Sequence, residues 1–395
     1  MNLSPFALLC STGLFAIFSS TISKSPVLPL FAAHLGAGPS GVGMVASVSA
    51  FTGIIASIPA GILSDKLGRR KMLLLSAIVF STAPFLYLMV SNIWQLAAIR
   101  FYHGFATAIF VPVAMALVAD LFHKERGEKI GWFSTATLAG RFAAPAIGGG
   151  IIGFMVYNPG LSYKVVYMVC GAAGVTALVL ALKIPDSGKV KKIERDWNET
   201  FRAFRGVISS GGIIITSSVE AAILFAYGTF ETFIPLYSIK AGLTAYEVGI
   251  LISAQVITLA LTKPVMGRFS DRHGRKPQIT TGALTGAACI WSIQYFGSFV
   301  PLLALSILFG LSLSIVTSAT SALIADLSSR EAHGSAMGIL GSIMDIGHTT
   351  GPIVSGIIAS VYGYGRAFGA AALLLAVSAV IFFTCSGKVN VSTNL

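Results

Sequence analysis

A chain of 395 residues that is 55% hydrophobic and only 11% charged, with a mean hydropathy of +0.82, lacks the charge to clothe a soluble surface, where about 25% is usual. Its net charge of +12 does not point to nucleic acid, because the basic residues sit between apolar runs with no aromatic-basic face to track a phosphate backbone. Cys10, Cys170, Cys289 and Cys385 are scattered singly through apolar segments, which fits neither a disulfide framework nor a metal site.

A helix needs about 20 apolar residues to span a bilayer. By that rule the chain is an all-α membrane protein of twelve spans, near 5–32, 41–63, 72–91, 94–121, 128–156, 163–184, 209–238, 245–268, 277–296, 299–326, 333–362 and 366–385. The first run has no basic segment before it and is too long for a signal peptide, so it reads as a retained span. Domains follow as a six-helix bundle over 1–184, a cytoplasmic linker over 185–208 and a second bundle over 209–395. In the linker Val190, Ile193, Trp197, Phe201 and Phe204 recur at helical spacing among charges, which predicts an amphipathic helix on the inner membrane surface.

Of the 27 Lys and Arg residues, twenty fall in loops on one side and only Lys164, Lys240 and Arg366 on the other. That asymmetry places both termini in the cytoplasm. Four lie inside apolar runs: Lys24, Arg100, Arg141 and Lys263.

The loop holding Gly61, Asp65, Lys66, Gly68, Arg69, Arg70 and Lys71 returns 206 positions later as Gly267, Asp271, Arg272, Gly274, Arg275 and Lys276. Gly36 answers to Gly242 and Asp120 to Asp326 at the same offset, while Gly140 and Pro145 answer to Gly347 and Pro352 at 207. Matches of Gly, Pro and Asp are not what two unrelated apolar stretches share. A parallel repeat of six helices is predicted, with the substrate route between its halves.

These residues resemble the major facilitator superfamily over essentially the whole chain. The loop at 61–71 and its copy at 267–276 resemble that family's signature loops, and Arg100 with Gly104 its signature on the fourth span. Gly131, Gly140, Ala144, Pro145, Gly148 and Gly149 are similar to the fifth-span pattern of drug:proton antiporters, with Ala144 where Gly is usual. Phe230-Glu231-Thr232 looks like the segment of Gram-positive multidrug efflux pumps that carries an essential acid. The resemblance implies that Gly61, Asp65, Arg69 and Asp120, with Gly267, Asp271, Arg275 and Asp326, form a conformational latch joining the halves on the cytoplasmic side. Plain topology signalling explains Lys66, Arg70 and Lys71 as well, but not the acids.

Buried charges point to the chemistry. An ionisable side chain inside a membrane is costly and marks a task. Glu220 and Glu231 are eleven residues apart, close to three helical turns, so they share a face with Tyr227. A carboxylate in apolar surroundings loses the water that stabilises its charge, so Glu231 is expected to load and release protons, with Arg100 assisting and Asp345 contributing. Asp345 and His348 are three apart on one helix and so neighbours. Lys24, Glu231, Tyr227, Arg141, His348 and Glu220 are the candidate substrate contacts; the lesser alternatives are that Lys24 and Arg141 snorkel to an interface and that Arg100 only braces its helix.

The expectation is a proton-coupled exporter of small amphiphilic compounds in the plasma membrane of a prokaryote, working by alternating access. It would be driven by the proton gradient without cofactor or metal, and would be monomeric, with the lipid bilayer, protons and a small molecule as its partners. The alternative keeps the fold and changes the cargo to an anionic or zwitterionic metabolite held by Lys24, Arg100 and Arg141. No phosphate-binding loop or nucleophile motif marks an enzyme.

Overall fold

The computed structural model describes residues 4–122, 125–185, 211–328 and 333–385, without the side chains of 58, 61, 62, 65, 333–336, 338 and 339. The expected amphipathic linker helix lies outside the described residues. So do the side chain of Asp65 and the surroundings of Gly61.

The helices in order are α1 Pro5–Ile22, α2 Val27–His34, α3 Pro39–Leu67, α4 Arg69–Leu86, α5 Ile93–Leu121, α6 Arg126–Phe154, α7 Pro159–Leu182, α8 Gly211–Lys240, α9 Ala245–His273, α10 Arg275–Ser292, α11 Phe299–Leu327, α12 His333–Tyr362 and α13 Tyr364–Cys385. They make twelve spans, because α1 and α2 together form the first. That span was expected to be continuous. It breaks over 23–26 because Pro26 has no N–H to give and disfavours a helical residue before it; the chain restarts with the Leu28 N–H donating to the Lys24 carbonyl at 3.0 Å.

Nine helical stretches among the described residues are long and apolar enough to cross a membrane. Three helices, α6, α10 and α12, fall short of that measure. They are built from Gly, Ala, Ser and Thr, residues that bring helix backbones together more than they face lipid.

The chain divides into two compact units. The first comprises Met1–Ile193 with Thr244–Ser253, and the second Glu194–Leu243 with Ala254–Leu395. In the first, α1 packs on α6 and α7, α4 packs on α5 and α7, and α3 packs on α5. In the second, α8 packs on α12 and α13, and α10 packs on α11 and α13. The sequence repeat is therefore a repeat of packing. Two close approaches match: a Cβ on Gly140 would run into the Leu14 carbonyl, and one on Gly347 into the Ala221 carbonyl.

The start of α9, Thr244–Ser253, groups with the first unit. The glycine-proline run of α6 explains it. Gly249 lies against the Pro145 carbonyl. The Ser253 hydroxyl donates to the Phe142 carbonyl at 2.8 Å and accepts from the Ala146 N–H at 3.1 Å.

Candidate functional site

Helix α8 carries both buried acids, and its contact with α12 sets the geometry around Glu231. Gly228 leaves open a place where a Cβ would stand 2.9 Å from the His348 carbonyl oxygen. Gly347 and Gly351, four apart on α12, meet the carbonyls of Ala221 and Phe225 in the same way. Small residues at this spacing let two backbones approach closely, and polar side chains then bridge the crossing. Thr229 Oγ1 lies 2.7 Å from Ser355 Oγ, and Glu231 Oε2 lies 3.2 Å from His348 Nε2. The Tyr227 ring flanks the imidazole at 5.3 Å between centroids.

Glu231 is 8% exposed, and the His348 side chain 20%. As a carboxylate, Glu231 accepts from an Nε2–H; as an acid, it donates to a bare Nε2. The contact therefore holds one proton between two bases, in surroundings dry enough to strengthen it. Spacing along α12 had made His348 the neighbour of Asp345. The structure turns the imidazole across to α8, and Asp345 is half-buried one turn before it. Glu220 has a different setting: it is 0% exposed, with the Thr320 hydroxyl of α11 at Oε2.

In the first unit the charges gather around the break in the first span. Lys24 lies in that break, half-buried. Arg100 on α5 is 2% exposed. Its Nη1 lies 3.5 Å from Ser23 Oγ, and its Nε has no hydrogen-bond partner. One turn on, His103 Nδ1 is 3.4 Å from the Tyr87 hydroxyl, whose ring stacks on Tyr167 at 4.4 Å. Cys170 donates its thiol to the Ser19 carbonyl at 3.0 Å, and the Ser19 hydroxyl donates to the Cys170 carbonyl at 2.9 Å. Tyr87, Ser19, Ser23 and Cys170 were not singled out in the sequence, where they are lone polar groups in apolar runs. Arg141, by contrast, is exposed on α6.

The two signature loops are alike in detail. Gly68, at φ 98°, and Gly274, at φ 91°, turn the chain between consecutive helices in a conformation that side chains resist. Arg69 Nε donates to Asp120 Oδ2 at 3.1 Å and its Nη1 to Ser64 Oγ at 2.5 Å. Arg275 Nε donates to Asp326 Oδ2 at 2.6 Å, and its Nη1 to Ser270 Oγ at 2.9 Å and Asp271 Oδ1 at 2.6 Å. Each fork thus ties helix ends within its own unit. Gly267 has nothing within 4 Å of a Cβ position, and its carbonyl accepts from the Ser270 hydroxyl at 2.8 Å.

Twelve spans in two repeated sets, with ionisable groups enclosed among them, define a membrane carrier of the inverted- or parallel-repeat kind. The chain belongs to the Major Facilitator Superfamily, whose sequence profile it matches over residues 8–254 and again over 221–393. It is similar to an uncharacterized MFS-type transporter of Methanocaldococcus jannaschii, 26% identical over 369 residues, or 91% of this chain and 92% of that one. It is similar also to Multidrug resistance protein 1 of Bacillus subtilis, 23% identical over 393 residues and 97% of each. A bacterial homologue of the human lysosomal transporter Spinster, solved inward-facing and occupied, shares the fold: TM-score 0.83, 14% identity and 98% of both chains. The protein is a multi-pass membrane transporter of small molecules.

Proposed function

We propose that this transporter exports small amphiphilic organic compounds in exchange for protons, by alternating access, with the coupling proton carried on Glu231. The observation that carries the reading is the contact of the buried Glu231 carboxyl with His348. A carboxyl kept inside a span without a task is selected against, and an imidazole beside it gives its proton somewhere to go. A proton on Glu231 and a bound substrate exclude one another, and Arg100 and Asp345 assist the transfer. Lys24, Tyr227, Arg141, His348 and Glu220 are the further substrate contacts of this reading. The similarity to proteins named for multidrug resistance supports the cargo class. The proton gradient is the energy source, with no cofactor or metal; the protein acts as a monomer in a prokaryotic plasma membrane, both termini cytoplasmic.

Proteoliposomes under an imposed pH gradient test it. Wild type accumulates substrate uphill and Glu231→Gln does not; a Glu231→Gln protein that pumps as well as wild type removes the role.

One observation favours a second cargo. Arg100 is a buried cation whose Nε lacks a partner, which suits an anionic or zwitterionic metabolite such as a carboxylate-rich metal chelator or a sugar acid. Lys24→Ala separates the two. Loss of anion transport with lipophilic cation transport unchanged selects the anion.

A further inference from the structure

Eleven residues before Glu231 on α8, Glu220 is wholly enclosed, at 0% exposure. Its Oε2 meets the Thr320 hydroxyl of α11, and its Oε1 has no hydrogen-bond partner. Lys263 on α9 is exposed and forms no ion pair with it. On the other helices packed against α8, His348 of α12 is engaged with Glu231. Asp345 of α12, Arg275 and Lys276 at the start of α10 and Arg366 near the start of α13 make no bond to Glu220.

The protonation state follows from counting hydrogens. A threonine hydroxyl has one to give. Thr320 Oγ1 lies 2.8 Å from the Val316 carbonyl one turn back, with donor geometry, as a helical threonine does. Thr320 Oγ1 has donor geometry toward Glu220 Oε2 as well, so its one hydrogen faces two acceptors; a hydrogen on the carboxyl, donated to Thr320 Oγ1, lets both contacts stand. An ionised carboxylate here would be shut off from bulk solvent, with no bonded cation and one oxygen bare, an arrangement a membrane interior penalises heavily.

We infer that Glu220 is a second proton-binding site, a neutral carboxylic acid whose Oε2–H donates to Thr320 Oγ1. The proton is released when α8 and α11 part enough to admit water. That this proton takes part in the transport cycle rests on the proton-coupled reading above; that it is bound does not.

Infrared difference spectroscopy on the full-length protein in lipid nanodiscs at neutral pH tests the inference, comparing wild type with Glu220→Gln. The expected result is a protonated-carboxyl C=O band in wild type, lost in Glu220→Gln and displaced in Thr320→Val, where the hydroxyl acceptor is gone. If Thr320→Val does not fold, the displacement is read in Thr320→Ala, which also removes the hydroxyl, with Thr320→Ser, which keeps it, expected to leave the band in place. A wild-type spectrum with no such band, showing instead a carboxylate band that Glu220→Gln removes, overturns it. Glu231 is intact in every sample, so its contribution cancels, and failure of the Glu231→Gln transport test leaves this result untouched.

Discussion

Ser64 and Ser270 do the same work in the two halves of the repeat: each buried hydroxyl accepts a hydrogen bond from the arginine five residues on, Arg69 or Arg275. The guanidinium then reaches past the serine to an aspartate at the end of a neighbouring helix. One planar group thus fixes the spacing of two helix ends, which a point charge on a flexible stem does not do.

Arg275→Lys is therefore expected to destabilise the protein by about 1 kcal/mol, the usual worth of a lost hydrogen bond, even though the charge is kept. The Asp326 partner is 41% exposed, so water screens the ion pair and the loss stays small. Lys66→Ala, at an exposed position of the first loop, should change stability by less than about 0.5 kcal/mol. Thermal unfolding in detergent reads both. An Arg275→Lys protein as stable as wild type would leave the fork without a structural role.

Gly68→Ala and Gly274→Ala should each cost about 1–3 kcal/mol, because φ near 98° and 91° puts a Cβ against its own backbone. Gly131 gives the opposite sign. It lies on an exposed face of α6 with nothing within 4 Å of its Cβ position, so Gly131→Ala should stabilise by about 0.5–1 kcal/mol through lower unfolded-state entropy. The comparison is made under one detergent and one pH. A neutral Gly274→Ala would show that the turn relaxes.

Much of this was legible in the sequence because it depends on spacing. Apolar run length gave the spans, and the match of Gly61, Asp65, Gly68 and Asp120 to residues 206 positions on gave the repeat, which the packing reproduces. What was not legible depends on contacts between distant segments. Ser64 and Ser270 look like ordinary loop serines until an arginine folds onto them. Asp345 and His348 are neighbours along α12, but whether His348 turns along its own helix or across to Glu231 is set by the α8–α12 crossing. That crossing is set in turn by Gly228, Gly347 and Gly351, whose role appears only once their opposite carbonyls are known. The break in the first span was signalled by Pro26 and masked by the apolar residues around it.

Gly347→Val tests the crossing itself. The added carbons meet the Ala221 carbonyl, which is backbone and cannot swing away; overpacking of this kind costs about 1–3 kcal/mol. The equivalent Gly140→Val, against the Leu14 carbonyl, should cost a similar amount, since the repeat places both at the same packing point. A large drop in folded yield for one and none for the other would break the equivalence.

The Glu231–His348 contact predicts non-additive kinetics. If the imidazole serves by receiving the Glu231 proton, its removal matters only while the carboxyl is present. His348→Ala alone should cut uphill transport by about tenfold, which is roughly 1.4 kcal/mol and within the worth of a hydrogen bond to a charged group. Glu231→Gln should abolish uphill transport, and the double variant should be no worse than Glu231→Gln alone. Downhill exchange of substrate, which needs no proton, is the control, and each variant's uphill rate is read against its own exchange rate because both residues are also placed at the substrate. Coupling between residues in contact is expected at about 0.5–3 kcal/mol, so a cycle that closes additively would show that the two act independently and that the proton takes another route.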